Sequence, residues 1–298
     1  NGVYGSPYND TTNSPWYNAD GNPYGVMMVS NINKSQNATF TGNVFAEFQF
    51  IKNLKFRSTL GVKYDSNDYR GFNPLYHFSV YSYNDTRTSA SQSKSDGFGI
   101  TWTNTLTYNW TLGKHFFDAM LGTEAYRTNG SSLYAANGSL REGFDTWPYA
   151  WVSNGTAKSQ EEGLSASGSP WDEERMVSYF GRLSWNYKET YMATATLRCD
   201  GSSRFARGHR FGWFPSVSAG WVMSNEKFWK PLAKVVDYFK LRGSWGQVGN
   251  QNIGNYMYTA PVSFNNVYYN FGTTKGSAAD QWGARVTRLA NENITWET

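Results

Sequence analysis

Between Thr101 and Leu112 the chain reads Thr-Trp-Thr-Asn-Thr-Leu-Thr-Tyr-Asn-Trp-Thr-Leu. Trp102, Leu106, Tyr108, Trp110 and Leu112 share one face with Asn104, and the opposite face is nearly all Thr. A repeat of two over this length defines a strand, because a helix would scatter the same side chains around its circumference. The pattern recurs along the chain. Val44, Ala46, Phe48 and Phe50 oppose Glu47 and Gln49; after Ile51-Lys52-Asn53, Leu54, Phe56, Leu60, Val62 and Tyr64 oppose Lys55, Arg57, Lys63 and Asp65. Phe117, Ala119 and Leu121 oppose Asp118 and Glu124; Tyr179, Leu183 and Trp185 oppose Arg182 and Ser184; Tyr191, Leu197 and Cys199 oppose Thr194, Arg198 and Asp200. Trp213, Val217 and Trp221 oppose Ser216 and Ser218, and Phe239, Leu241 and Trp245 oppose Lys240 and Arg242. About eight strands are therefore predicted, joined as antiparallel neighbours by short turns.

Alternation alone fits a soluble β-sandwich as well as a membrane barrel, since both give each strand one apolar face. No apolar run approaches the roughly 20 residues of a membrane helix, but a barrel strand needs only about 9–11. Aromatic residues make up 18% of the 298 residues, while mean hydropathy is −0.61. What separates the two folds is where the rings fall. Tyr64, Trp102, Trp110, Trp185, Tyr187, Trp213 and Trp221 lie near strand ends, as an interfacial girdle requires. Connections also alternate between short (near 51–54, 113–115 and 188–190) and long (66–96, 128–175 and 249–285), as barrels do with tight turns at one rim and extended loops at the other. The expected fold class is all-β, an antiparallel transmembrane β-barrel. Lys55, Arg57, Lys63, Arg182, Arg198 and Arg242 would then line a wet interior.

Other chemistries find little support. The net charge of +4 is scattered, without the concentrated basic face that nucleic acid needs. His77, His115 and His209 lie far apart, and Cys199 is the only cysteine, so neither a metal cage nor a disulfide framework is predicted. Glu161-Glu162 and Asp172-Glu173-Glu174 read as solvated loop charges rather than an acid/base pair, although lost hydrolysis on mutating Asp172 or Glu173 would revive an enzyme. Gly246-Gln-Val-Gly-Asn250 opens no helix, so it reads as the exit of a strand rather than a phosphate cradle. Neither catalytic residues nor a cofactor is expected.

The connections hold the candidate contact sites. Residues 1–37 read as an external loop, 38–248 as the strands with their turns, and 249–298 as a further external loop followed by the start of another strand. Ser224–Val236 reads as a short amphipathic helical turn. Trp147, Tyr149, Trp151 and Trp171 cluster among Gly, Ser and Asn in the longest loop; such rings either stack on sugars or a partner protein, or pack on one another to hold the loop. Asp200-Gly201-Ser202-Ser203-Arg204-Phe205 reads as a turn in which Gly201 takes an unusual backbone angle and Arg204 meets a carboxylate of the interior. A ligand contact there is the alternative.

These segments together resemble the barrel of SusC/RagA-like TonB-dependent outer-membrane transporters. The resemblance rests on Gly42-Asn-Val-Phe-Ala-Glu47 with Leu54-Lys-Phe-Arg-Ser58, Thr103-Asn-Thr-Leu-Thr-Tyr108, Gly122-Thr-Glu124, Ser178-Tyr-Phe-Gly-Arg182, Thr194-Ala-Thr-Leu-Arg198, Asp200-Gly-Ser-Ser-Arg-Phe205, Phe214-Pro-Ser-Val-Ser-Ala-Gly-Trp221, Leu241-Arg-Gly-Ser-Trp-Gly-Gln-Val-Gly-Asn250 and Asn293-Ile-Thr-Trp-Glu297, collinear over most of the chain. It implies a 22-stranded barrel with an N-terminal plug, of which this chain would be an internal fragment without the plug. It further implies import of oligosaccharides or peptides across the outer membrane of a Gram-negative bacterium. The partners it implies are a SusD-like surface lipoprotein, outer-membrane lipid, and the TonB complex acting through the plug segment. The competing expectation is a soluble β-sandwich that binds glycans through its loop aromatics.

Overall fold

The computed structural model describes residues 23–30, 32–78, 82–170, 173–270 and 280–298. Trp171 and Asp172 lie outside the described residues. A short helix, α1 (Pro23–Ser30), precedes the strands β1 (Lys34–Ile51) and β2 (Leu54–Asn73). Among the described residues, the two-residue strands β3 (Tyr76–His77) and β4 (Tyr83–Asn84) pair only with each other. Then follow β5 (Ser89–Leu112), β6 (His115–Gly138), β7 (Ser165–Pro170), β8 (Glu174–Tyr187), β9 (Tyr191–Ser202), β10 (Phe211–Val222) and β11 (Lys240–Gly246). They form one nine-stranded sheet in the order β1-β2-β5-β6-β8-β9-β10-β11, with β7 pairing β6. Apart from the short β3, β4 and β7, each strand lies beside the next in sequence, which is an up-and-down meander. The last strands, β12 (Val262–Asn270) and β13 (Asp280–Val286), make a separate two-stranded sheet.

The strands run longer than the sequence pattern predicts. The stretch 66–96, expected as a loop, supplies the end of β2 and the start of β5, and the loop expected from 128 loses its first residues to β6. The reason is physical. A ladder is held by backbone hydrogen bonds whatever the side chains are, so a strand with polar residues on both faces persists while its alternation fades. The helical turn expected in Ser224–Val236 is three consecutive 3-10 turns, Met223–Asn225, Lys227–Trp229 and Leu232–Lys234.

The chain forms two compact bodies, one made of Asn1–Thr41, Lys63–Phe98 and Asn129–Asp172, the other of Gly42–Val62, Gly99–Thr128 and Glu173–Thr298. The first has a small core of Phe72, Ala90, Leu140 and Ala150, against which Ile32 and Trp147 pack. Its 3-10 turns Trp147–Tyr149 and Val152–Asn154 belong to the aromatic loop.

The second body is organised differently. Its register sets Glu124, Ser178 and Asp200 on one row and Gly122, Phe180 and Arg198 on the next, all on the polar face. The opposite face carries Leu121, Leu183, Leu197, Trp213, Val217, Leu241 and Trp245, every one exposed, Leu121 at 66% and Trp213 at 61%. In a soluble sandwich this face would be the core beneath a second sheet; among the described residues it is uncovered, an apolar patch of the kind that meets either a partner protein or a membrane. A ladder of rings crosses the body near the short turns. Tyr108, Trp110, Phe117 and His115 lead to Trp185, Tyr187, Tyr191, Trp221, Phe228, Trp229 and Phe239, with successive centroids 4.9–6.4 Å apart.

Candidate functional site

Three arrangements concern the predicted residues. The first is on the polar face of the second body, where strand alternation turns Arg198 toward two carboxylates. Its Nε donates to Asp200 Oδ1 at 2.7 Å, and its Nη2 donates to Glu124 Oε1 at 3.2 Å and Ser178 Oγ at 2.9 Å. Thr103 Oγ1 donates to the other Glu124 oxygen at 3.1 Å. Ser178 is fully buried and Asp200 nearly so, so these polar groups satisfy one another instead of water. Phe180 lies under the Arg198 guanidinium, 5.4 Å from its ring centroid. The ring takes the space above Gly122, where any Cβ would clash with it. Two carboxylates against one guanidinium leave this row net negative.

The other predicted interior charges are dispersed. Arg182 Nη2 reaches Asp118 at 3.4 Å, Lys55 reaches Glu47 at 3.3 Å, and Arg57 sits 3.9 Å over the Phe45 ring. In the first body Lys63 pairs with Asp65 at 2.8 Å. Arg242 lines a cleft of about 540 Å³ with Lys240, Thr194, Ser218 and Ser244. The sequence shows the cations; it does not show that Asp118, Glu124 and Asp200 are their partners, since those pairings depend on inter-strand register.

The second arrangement is the motif at the end of β9. Asp200, Gly201 and Ser202 are still in the strand, and Gly201 has no positive φ. The expected unusual angle is therefore corrected. Gly201 is extended, and it is glycine because a Cβ there would meet the Phe211 ring at 2.5 Å. The positive φ falls later, at Gly208 (φ 94). Ser203 exchanges hydrogen bonds with the Arg175 backbone, each 2.9 Å. Arg204 forks onto Glu174, Nε to Oε1 at 3.1 Å and Nη2 to Oε2 at 2.9 Å, while its Nη1 donates to the Ile253 carbonyl. Phe205 is completely buried against Trp296, which also meets Phe214 edge-on at 5.2 Å. Asn250 bridges Glu297 through both backbones. The motifs around 200, 214, 250 and 296 thus converge in one packed knot.

The third arrangement is the aromatic loop of the first body. Arg70, at the end of β2, lies between two tryptophans, its Cζ 4.2 Å from the Trp147 ring centroid and 4.0 Å from that of Trp151. Its nitrogens donate to the carbonyls of Trp147, Pro148 and Ala150. Trp147 packs on the small core, whereas Tyr149 and Trp151 are exposed. Trp151 borders a cleft of about 890 Å³ with Lys34, Asp68, Arg70, Gln92 and Lys94. Ring, amide, carboxylate and ammonium groups around one cleft can hold a polar, ring-shaped ligand. Arg70 escapes sequence reading because nothing local says which aromatic residues it meets more than seventy positions later. No group of three or more metal-ligating side chains occurs among the described residues.

Fold and faces together define a class of structure, an antiparallel β-barrel wall with one apolar and one polar face. Known proteins narrow it. No family model matches the chain. It is 30% identical to TonB-dependent receptor SusC of Bacteroides thetaiotaomicron, over 97% of this chain and 26% of that receptor. It is 27% identical to TonB-dependent receptor P3 of Formosa agariphila, over 100% of this chain and 28% of that one. Its fold is similar to that in the structure of the RagAB peptide transporter, with a TM-score of 0.68 and 22% identity over 90% of this chain and 28% of the other. The chain spans roughly a quarter of the length of these relatives. In sequence it is similar to part of the TonB-dependent receptor SusC, and in fold it is similar to part of the RagAB β-barrel.

Proposed function

We propose that the chain forms part of the wall of an outer-membrane, TonB-dependent importer of oligosaccharides or peptides that works with a SusD-like lipoprotein. The observation that carries this is the opposition of faces in the second body. An exposed apolar face bounded by an aromatic ladder suits lipid, and a polar face of linked charges suits a water-filled interior. From Tyr187 to Val177 strand β8 rises roughly 34 Å, which at a tilt of about 40° covers roughly 26 Å, close to the apolar band of about 25 Å in such barrels. Lys55, Arg57, Lys63, Arg182, Arg198 and Arg242 then belong to the interior wall. The Arg204 motif fixes the wall, and Trp151 with Tyr149 offers the ligand contact. The curated relatives are named TonB-dependent receptors, and the structurally similar RagAB is called a peptide transporter, which supports the reading.

Two measurements test this. The protein that carries this chain should pellet with outer membranes and be released only by detergent; recovery without detergent would sink the reading in favour of the soluble sandwich. A strain lacking it should lose growth on either oligosaccharides or peptides as sole carbon source while keeping growth on the monomers. Unchanged growth on both polymer classes would refute import.

A further inference from the structure

The apolar face of the second body is interrupted by a trough of about 880 Å³. The small residues Thr123, Gly181 and Cys199 line it together with the larger Leu121, Tyr179 and Trp213. The adjacent Leu121 leans over Gly181, where an added Cβ would lie 3.3 Å from its Cδ2. On the same face of the same strands, toward the long-loop end, two guanidiniums share a single carboxylate. Arg127 pairs with Glu173, and Arg175 donates to Glu173 from Nε at 3.0 Å and from Nη2 at 3.0 Å. Both arginine side chains are more than half exposed. Among the described residues, one carboxylate against two guanidiniums leaves this rim net positive.

Depth connects the rim with the trough. Arg127 and Arg175 are partners across β6 and β8, as are Leu121 and Gly181, and six residues separate the two pairs. Six residues rise roughly 20 Å along a strand, or roughly 15 Å of depth at a tilt of about 40°, half of a hydrocarbon core of about 30 Å. The trough therefore lies one leaflet below the cationic rim. An acyl chain has that length, and a phosphate has the charge that a guanidinium pair takes in bidentate fashion. We infer that this surface binds one anionic phospholipid, a lipid whose phosphate is not balanced by a cation in its own headgroup, with that phosphate on Arg127 and Arg175 and an acyl chain in the trough at Thr123, Gly181 and Cys199.

The inference rests on the membrane reading above, and its test separates the two. The detergent-purified protein that carries this chain is titrated with phosphatidylglycerol, phosphatidylcholine or inorganic phosphate, and bound lipid is read by native mass spectrometry with Tm followed in parallel. Phosphatidylglycerol should be retained and raise Tm, with retention falling about tenfold in the double variant R127Q/R175Q and also in Gly181→Leu, which fills the trough. Because Gly181→Leu could disturb the sheet, Thr123→Leu provides a second way to fill it. Equal retention of phosphatidylcholine, unchanged retention in the double variant, or an equal Tm rise with inorganic phosphate alone would each overturn the lipid site while leaving the barrel intact. Recovery of the protein without detergent would instead remove the membrane reading itself.

Discussion

Arg204 and Arg70 show how one guanidinium can organise a segment in two ways. Arg204 is held by a forked carboxylate in a partly buried position, its side chain 23% exposed and that of Glu174 15%. Removing one partner leaves the other charge without compensation. Arg204→Ala should cost about 2–3 kcal/mol of stability, read as a lower urea midpoint of the purified protein. Arg204→Lys should recover only part of it, because an ammonium cannot fork. Glu174→Gln should reproduce most of the loss, and an unchanged midpoint in both Arg204→Ala and Glu174→Gln would show that the pair holds nothing. Arg70 instead is held by carbonyls and two indole faces. Stacking of this kind contributes about 0.5–2 kcal/mol. Arg70→Lys should therefore leave global stability nearly unchanged while proteolysis of the 140–160 loop speeds up, and equal cleavage rates would contradict the clamp. Glu173 adds a pH dependence. Its hydrogen bonds with Arg175, and then Arg127, hold its carboxyl below the usual range. A depressed folded pKa contributes stability that is present above the ordinary carboxylate value and is lost as pH falls through the folded one.

At the scale of elements, what the sequence shows clearly is whatever a period of two can show. The strand at 101–112 is legible because Trp102, Leu106, Tyr108 and Trp110 meet a row of Thr. Ser89–Ser95 is not, because one face is all Ser and the other is Ala90, Gln92 and Lys94, so no large apolar residue marks either face although the ladder continues through them. The Arg198 cluster is half legible. The cation is visible, but Glu124 becomes its partner only when β6, β8 and β9 fall into register. The β8–β9 turn shows the reverse, since the sequence marks its place and hides its strain. Lys188 (φ 51) and Glu189 (φ 56) both occupy the left-handed region without being Gly or Asn. The hydrogen bonds from Thr190 N to the Tyr187 carbonyl and from Glu189 N to Asn186 Oδ1, both 2.9 Å, keep them there. The connection has three residues, since Tyr187 pairs with Tyr191, and two successive positive angles at the centre of its turn favour Asn-Gly. The double replacement Lys188→Asn with Glu189→Gly should raise stability by about 1 kcal/mol, visible as a higher urea midpoint, and a fall would mean that the two side chains themselves hold the turn.

At the scale of the molecule, the question is which solvent meets each face, and charged substitutions answer it by depth. In a bilayer an arginine on the lipid side costs about 2–4 kcal/mol at the midplane and about 0–1 near an interface. Leu121 pairs with Gly181, half-way between the aromatic ladder and the Arg127–Arg175 rim, while Leu112 ends β5 beside the turn at Gly113. Both are exposed to a similar degree, 66% and 69%, so a soluble protein would be affected nearly equally by Leu121→Arg and Leu112→Arg. A membrane barrel separates them by about 2–3 kcal/mol. Ser218→Lys, exposed on the polar face, provides the third comparison, and in a wet interior it should stay within about 0.5 kcal/mol of the parent. Unfolding of the three variants in lipid vesicles therefore orders them Leu121→Arg, Leu112→Arg and Ser218→Lys from most to least destabilised. Equal costs at Leu121 and Leu112 would place both in water, and a large cost at Ser218 would put lipid or a packed core against the polar face.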